Sequence, residues 1–181
     1  RMMTELLTTM LAAALMLVPP AGKEKSNMTQ PSAEATASPR LITKFQHKAA
    51  SIGKYELANG LKVIIWEDHS APVAAYHTWF AVGSGDEKEG RTGIAHLFEH
   101  LMFKETTNLK AGEMDRLLEQ NGINTNAATW LDWTYYMEHL PADRLELVMR
   151  LEADRMENMI LNREQLDTER EVVKNERLLR V

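Results

Sequence analysis

Two apolar runs near the middle of the chain, Tyr55-Glu56-Leu57-Ala58 and Leu61-Lys62-Val63-Ile64-Ile65-Trp66, flank Asn59-Gly60. This pattern predicts two strands joined in a hairpin, because Asn-Gly suits a type I′ turn with positive φ at both central residues. Residues 72–82 (PVAAYHTWFAV) predict a third strand, apolar on both faces and therefore central, which runs into the loop Gly83-Ser84-Gly85-Asp86. At Gly93 the period becomes helical, with Ile94, Leu97, Phe98, Leu101 and Met102 on one apolar face. A second helix is predicted over residues 111–120 and is stopped by Asn121-Gly122. Strands follow at residues 124–129 and 134–140, then two helices after Pro141, residues 142–159 and 163 to the end. Strands first, then helices interleaved with further strands, predict an α+β fold with an antiparallel or mixed sheet packed against helices.

The start of the chain has a different texture. Residues 6–18 (LLTTMLAAALMLV) are uncharged and mostly apolar, too short a run to span a bilayer comfortably but suited to the apolar part of a signal peptide. Only Arg1 precedes the run, Glu5 opposes it, and Pro19-Pro20 spoils a simple small-x-small cleavage site. Residues 1–22 are expected to be a signal peptide or N-terminal anchor, giving export to the periplasm or the extracellular space. An uncleaved segment would instead anchor the protein, its one expected link to a membrane. Residues 23–44, rich in Pro, Ser, Thr, Ala, Lys and Glu, read as a disordered linker, and residues 45–181 as one folded domain.

Composition removes several kinds of chemistry. The net charge is −5 and no basic block occurs, which argues against a nucleic-acid partner. The chain has no cysteine, so disulfides, thiolate metal sites and thiol nucleophiles are excluded. Any metal must be held by histidines and carboxylates.

His96-Leu97-Phe98-Glu99-His100 offers such a set. Residues four apart on a helix lie one above the other, so His96 and His100 can face one metal, with Glu99 bordering them. His96, Glu99, His100 and Phe103 form the stripe opposite the apolar one. Zinc in catalytic sites takes histidine and carboxylate ligands and keeps a position for water, whose proton a nearby carboxylate can accept. The order H-x-x-E-H is the inverted form of H-E-x-x-H. The bland alternative is the wet face of an amphipathic helix, and a third ligand is needed to displace it. The last helix carries Asp167, Glu169, Glu171 and Glu176. Glu169 and Glu176 lie two turns apart on one face, with Val172 and Val173 between them. Chemistry alone does not choose among these, and surface pairing with Arg170, Lys174 and Arg177 accounts for them equally well.

From Tyr55 to Val181 the chain resembles the N-terminal domain of the pitrilysin, insulysin and mitochondrial processing peptidase family of inverzincin zinc metallopeptidases. The resemblance rests on NGLKVIIWED, VGSGDE, GIAHLFEHLMF, NAATWLDWTYY and the spaced glutamates of EREVVKNE, in that order. It implies one half of a two-lobed peptidase acting on peptides or unfolded segments as a zinc metalloendopeptidase. It also implies one zinc ion held by His96, His100 and Glu176, with Glu99 as general base and Glu169 as an assisting catalytic glutamate. Asn126 and Ala127 fall on the strand that aligns substrate backbone. A second homologous domain or partner chain is implied, since this chain stops just after the helix carrying Glu176. An isolated half is expected to turn over weakly or not at all. The alternative is a non-catalytic zinc-binding or substrate-holding subunit of a peptidase complex. One departure is Lys104-Glu105-Thr106, where the family has a Gly-Thr element. His47, His69, His77 and His139 lack partners at ligand spacing, and Trp66, Trp79, Trp130 and Trp133 are expected in the core or its rim.

Overall fold

In the hairpin turn at Asn59-Gly60 only Gly60 has a positive φ, +85°. Its N–H bonds to the Leu57 carbonyl at 2.9 Å, and the Leu57 N–H bonds to the Leu61 carbonyl at 2.9 Å. The hairpin forms, but through a type I turn followed by a left-handed glycine. Three loop residues, rather than two, relieve Asn59 of the positive φ that a type I′ turn would demand.

The computed structural model describes residues 38–48 and 50–179, so the signal or anchor segment and most of the linker lie outside the described residues. The described residues divide into two compact units, with the division between Ala71 and Pro72. In the first, β1 (Arg40–His47), β2 (Ala50–Glu56) and β3 (Lys62–Glu67) form an antiparallel sheet in that order. Strand β1 begins at Arg40, so residues 40–44 are strand rather than linker. Pairing with β2 overrides their composition, and the Arg40 guanidinium meets the Glu56 carboxylate across the ladder.

In the second unit the strands are β4 (Val73–Phe80), β5 (Asn124–Thr129) and β6 (Thr134–Pro141), and the helices are α1 (Ile94–Leu101), α2 (Glu113–Gln120), α3 (Leu145–Asn158) and α4 (Arg163–Leu179). The sheet order is β4-β6-β5, all antiparallel. Among the described residues the central strand is therefore β6, and β4, expected in the middle, is an edge. Strand β6 shows why: Thr134, Tyr136, Glu138 and Leu140 are buried on one face. The exposed positions of β4 include Val73 and Trp79.

The core lies on the inner face of this sheet, where Met114, Leu118, Ile123, Leu140, Val148 and Leu151 pack together. Helix α2 is stopped as Asn121-Gly122 predicts. Gly122 has φ +68°, its N–H bonds to Glu119 O at 3.0 Å, and the Ile123 N–H reaches back to Leu118 O at 3.0 Å. This is a Schellman close, and it brings Ile123 and Leu118 into the same core cluster. On the outer face Trp79, Trp133 and Tyr135 pack ring on ring, with Trp79 stacked on Tyr135 at 4.7 Å between centroids. Of the tryptophans expected in the core or its rim, Trp66, Trp79 and Trp130 are 61%, 57% and 62% exposed and Trp133 is half-buried, so none is a core residue.

Candidate metal centre

Helix α1 starts without a capping side chain of its own, since Gly93 precedes it in a left-handed conformation with φ +90°. Glu87 supplies the cap from upstream. Its two carboxylate oxygens accept the Gly93 N–H at 2.7 Å and the Ala95 N–H at 2.8 Å. The charge satisfies backbone donors at the positive end of the helix. It thereby fixes where His96, the next residue, leaves the backbone.

The burial of α1 differs from the amphipathic expectation. Ala95, Glu99 and Leu101 are its buried residues, while Ile94 and Phe98 are 41% and 45% exposed. The stripe that the bland alternative turns to water thus carries a buried carboxylate. Glu99 Oε2 accepts a hydrogen bond from the Thr129 hydroxyl at the end of β5. Thr134 Oγ1, which donates to the Val82 carbonyl at 2.9 Å, lies 3.4 Å from Thr129 Oγ1. Tyr136 packs beneath: burial pushes its phenol well above the ordinary range, Arg155 opposes this, and the Glu99 charge adds to it.

Helix α4 lies along α1. Glu176 Oε2 is 3.5 Å from His96 Nε2, Glu176 Oε1 is 3.6 Å from His100 Nε2, and the two Nε2 atoms are 3.2 Å apart. Glu169 lies at the other end of the pair, with Oε2 3.4 Å from His100 Nδ1 and Oε1 2.7 Å from Lys104 Nζ. Glu176 meets the earlier part of α1 and Glu169 the later, so the two helices run antiparallel.

Four ligands at 2.0–2.1 Å around zinc sit about 3.4 Å from each other along a tetrahedron's edges. The two Nε2 atoms meet that spacing at 3.2 Å, and the Glu176 carboxylate straddles them, with Oε2 3.5 Å from His96 and Oε1 3.6 Å from His100. These three residues also form the set able to hold a metal ion among the described residues. The donors fit zinc. Asp167 and Glu171, the other carboxylates considered on α4, pair instead with Arg163, Arg170 and Lys174.

Asn126 is exposed on β5, which pairs with β6 alone among the described residues. Its Oδ1 accepts the N–H of Ala127 at 2.9 Å. Neither residue joins the cluster of His96, His100, Glu169 and Glu176. His77 and His139 face each other across β4 and β6 on the outer face at 6.4 Å, and His69 pairs with Glu67 at 3.2 Å.

Sequence reasoning missed Glu87, Lys104, Thr129 and a buried charge cluster behind α1. In that cluster Arg155 Nη2 is 2.5 Å from Glu152 Oε2 and 3.9 Å from Glu138 Oε1. The Arg155 guanidinium lies 4.0 Å over the Tyr136 ring and 5.6 Å from that of Phe103. Glu138 at alternating register in a buried strand was the visible signal, a charge where the pattern calls for an apolar side chain. Glu105, at the family departure, accepts from Gln165 Nε2 at 2.6 Å and so ties the loop after α1 to the start of α4.

The sequence profile of Insulinase (Peptidase family M16) matches residues 62–178. The chain belongs to that family. The M16 match contains every residue of the His96, Glu99, His100, Glu169 and Glu176 group. Zinc protease PqqE of Helicobacter pylori is 36% identical over 135 residues, which are 72% of this chain and 30% of that protein. Cytochrome b-c1 complex subunit 1 of Rattus norvegicus mitochondria is 33% identical over 120 residues, 66% of this chain and 25% of that one. The crystal structure of a protease from Helicobacter pylori superposes with TM-score 0.70 at 36% identity, over 72% of this chain and 32% of that chain. Pitrilysin superposes with TM-score 0.68 at 23% identity, over 76% and 15%, which speaks to the fold. The M16 chain is α+β with antiparallel sheets and helices, as these structures are, and it spans about a third or less of the relatives it matches.

Proposed function

We propose that this M16 chain is the N-terminal catalytic half of a zinc-dependent metalloendopeptidase acting on peptides or unfolded segments. The observation that carries the reading is the convergence of His96 Nε2 and His100 Nε2, 3.2 Å apart, on the Glu176 carboxylate, whose two oxygens lie 3.5 and 3.6 Å from them. In this reading the three would hold one zinc ion, which supplies an activated water and polarises the scissile carbonyl. Glu99 takes the proton of the attacking water and later delivers it to the leaving amine. Thr129 holds that carboxylate by one oxygen, leaving the other free to exchange the proton. Glu169 orients His100 through Nδ1. The edge of β5 left unpaired among the described residues accepts an extended peptide as an added strand, with Asn126 and Ala127 offering backbone and amide groups once the contact between them opens.

Because the chain spans a third or less of its relatives, a second homologous domain or partner chain would close the site over the substrate. The reading extends to an exported protein, periplasmic or extracellular, delivered by residues 1–22 as signal peptide or, uncleaved, as anchor. The likeness to a cytochrome b-c1 complex subunit supports a second reading, a substrate-holding or structural subunit. Motif integrity favours the enzyme. The deciding experiment measures zinc content and peptide cleavage for the full chain with whatever completes it, wild type against Glu99→Gln. Zinc retained with cleavage lost supports the peptidase; cleavage that survives Glu99→Gln would sink the assignment of the base, and a wild type without stoichiometric zinc would favour the subunit.

A further inference from the structure

Lys104 stands one helical turn beyond His100, just past the end of α1, where its N–H still bonds to Leu101 O at 3.0 Å. That spacing brings its side chain over the same face as His100. The Glu169 carboxylate lies between the two and divides its oxygens: Oε1 is 2.7 Å from Lys104 Nζ, and Oε2 is 3.4 Å from His100 Nδ1. The Glu169 side chain is only 8% exposed, and the Lys104 side chain is 32% exposed. A buried carboxylate is stable as an anion only with a countercharge at hydrogen-bond distance. His100 is a poor source of that charge, because a ring that binds metal must be neutral. Among the described residues the cation paired with Glu169 is Lys104.

We infer that Lys104 is a positioning residue: by holding Oε1 of Glu169 it turns Oε2 onto Nδ1 of His100 and fixes the ring for metal binding. A carboxylate oxygen 3.4 Å from Nδ1 favours the proton on that nitrogen and leaves the Nε2 lone pair facing His96 Nε2 and Glu176. Lys104 acts only through Glu169 and is paired with none of His96, His100 and Glu176. Its four-carbon stem and point charge suit a single carboxylate oxygen, which leaves the second one for the imidazole. The inference rests on the zinc reading of His96, His100 and Glu176.

The test is zinc affinity by competition with a chromogenic chelator, joined to the ¹⁵N shifts of His100 in the metal-free protein. It uses the full chain as wild type, Lys104→Met, Lys104→Arg, Glu169→Gln and the Lys104→Met/Glu169→Gln double variant. Lys104→Met should weaken zinc binding about 10- to 100-fold, the range for lost partners of a ligating histidine. It should also move His100 from the Nδ1–H tautomer to a mixture. Lys104→Arg should restore only part of the affinity, because its fork keeps the charge but competes for both oxygens of Glu169, and the double variant should bind as Glu169→Gln does. Should Lys104→Met fail to fold, Lys104→Gln gives the same reading. Zinc affinity and His100 tautomer unchanged in Lys104→Met, with the wild type binding one zinc, would overturn the inference and leave the metal site standing. A wild type that binds no zinc would overturn the metal reading, and the inference with it.

Discussion

The Thr129 hydroxyl donates to Glu99 Oε2, tying the last residue of an edge strand to the buried face of the motif helix. Through this bond the strand proposed to align substrate and the carboxylate proposed as base share one rigid connection. Thr129→Val keeps the shape and removes the donor. The expected result is a fall in kcat of about 10-fold or more, as misplaced catalytic groups show. Zinc affinity should stay within about twofold, because the bond does not reach the ligands. Steady-state kinetics with a fluorogenic peptide, alongside zinc titration, reads both.

Glu138, Glu152 and Arg155 put two carboxylates and one guanidinium where water does not reach. Burial first, then the Glu152 charge, raises the Glu138 carboxyl from 4.5 to about 8. A raised folded-state value means that the native protein binds the proton more tightly than the unfolded chain does. The stabilisation is therefore complete below pH 4.5 and is lost as pH rises through about 8. Thermal unfolding between pH 5 and 9 should show a falling midpoint from this group, and Glu138→Gln should flatten that slope. A slope unchanged in the variant would show that the proton sits elsewhere.

Removal of Arg155 leaves the two acids unpaired beneath Tyr136. Breaking a buried ion pair from one side costs about 3–5 kcal/mol. Arg155→Met should lose that much in denaturant unfolding at neutral pH.

Glu87 caps two N–H groups of α1 from outside the helix. Glu87→Ala should cost about 1–2 kcal/mol of stability, the usual worth of a cap with a favourable charge. It should also weaken zinc binding, because His96 sits in the first turn that the cap holds. Glu87→Gln should recover part of both.

Gly83 is packed too closely to carry a side chain: a Cβ there would lie 2.4 Å from the Trp130 carbonyl oxygen. The same approach allows the Ser84 N–H to reach Trp130 O at 2.8 Å and Gly85 N–H to reach Leu131 O at 2.6 Å. Gly83→Ala should push this loop from the β5–β6 turn and cost about 1–3 kcal/mol, as overpacking does. A melting temperature equal to that of wild type would contradict the close approach.

Much of this protein was legible in the order of its residues. Local periodicity suffices for the helix at His96 and His100, for the strands at 124–129 and 134–140, and for the stop at Asn121-Gly122, because backbone propensity and turn chemistry act over a few residues. The motif blocks likewise carried the family. Tertiary packing decided what spacing leaves open. It made β6 rather than β4 the central strand of its sheet and drew residues 40–44 into β1, since pairing depends on distant partners. It turned the polar stripe of α1 inward, where the Thr129 hydroxyl meets Glu99. It also brought Glu176 rather than Asp167 or Glu171 to the histidines. Helical spacing puts several carboxylates within reach of one another, but only the antiparallel packing of α4 on α1 determines which of them meets a given imidazole.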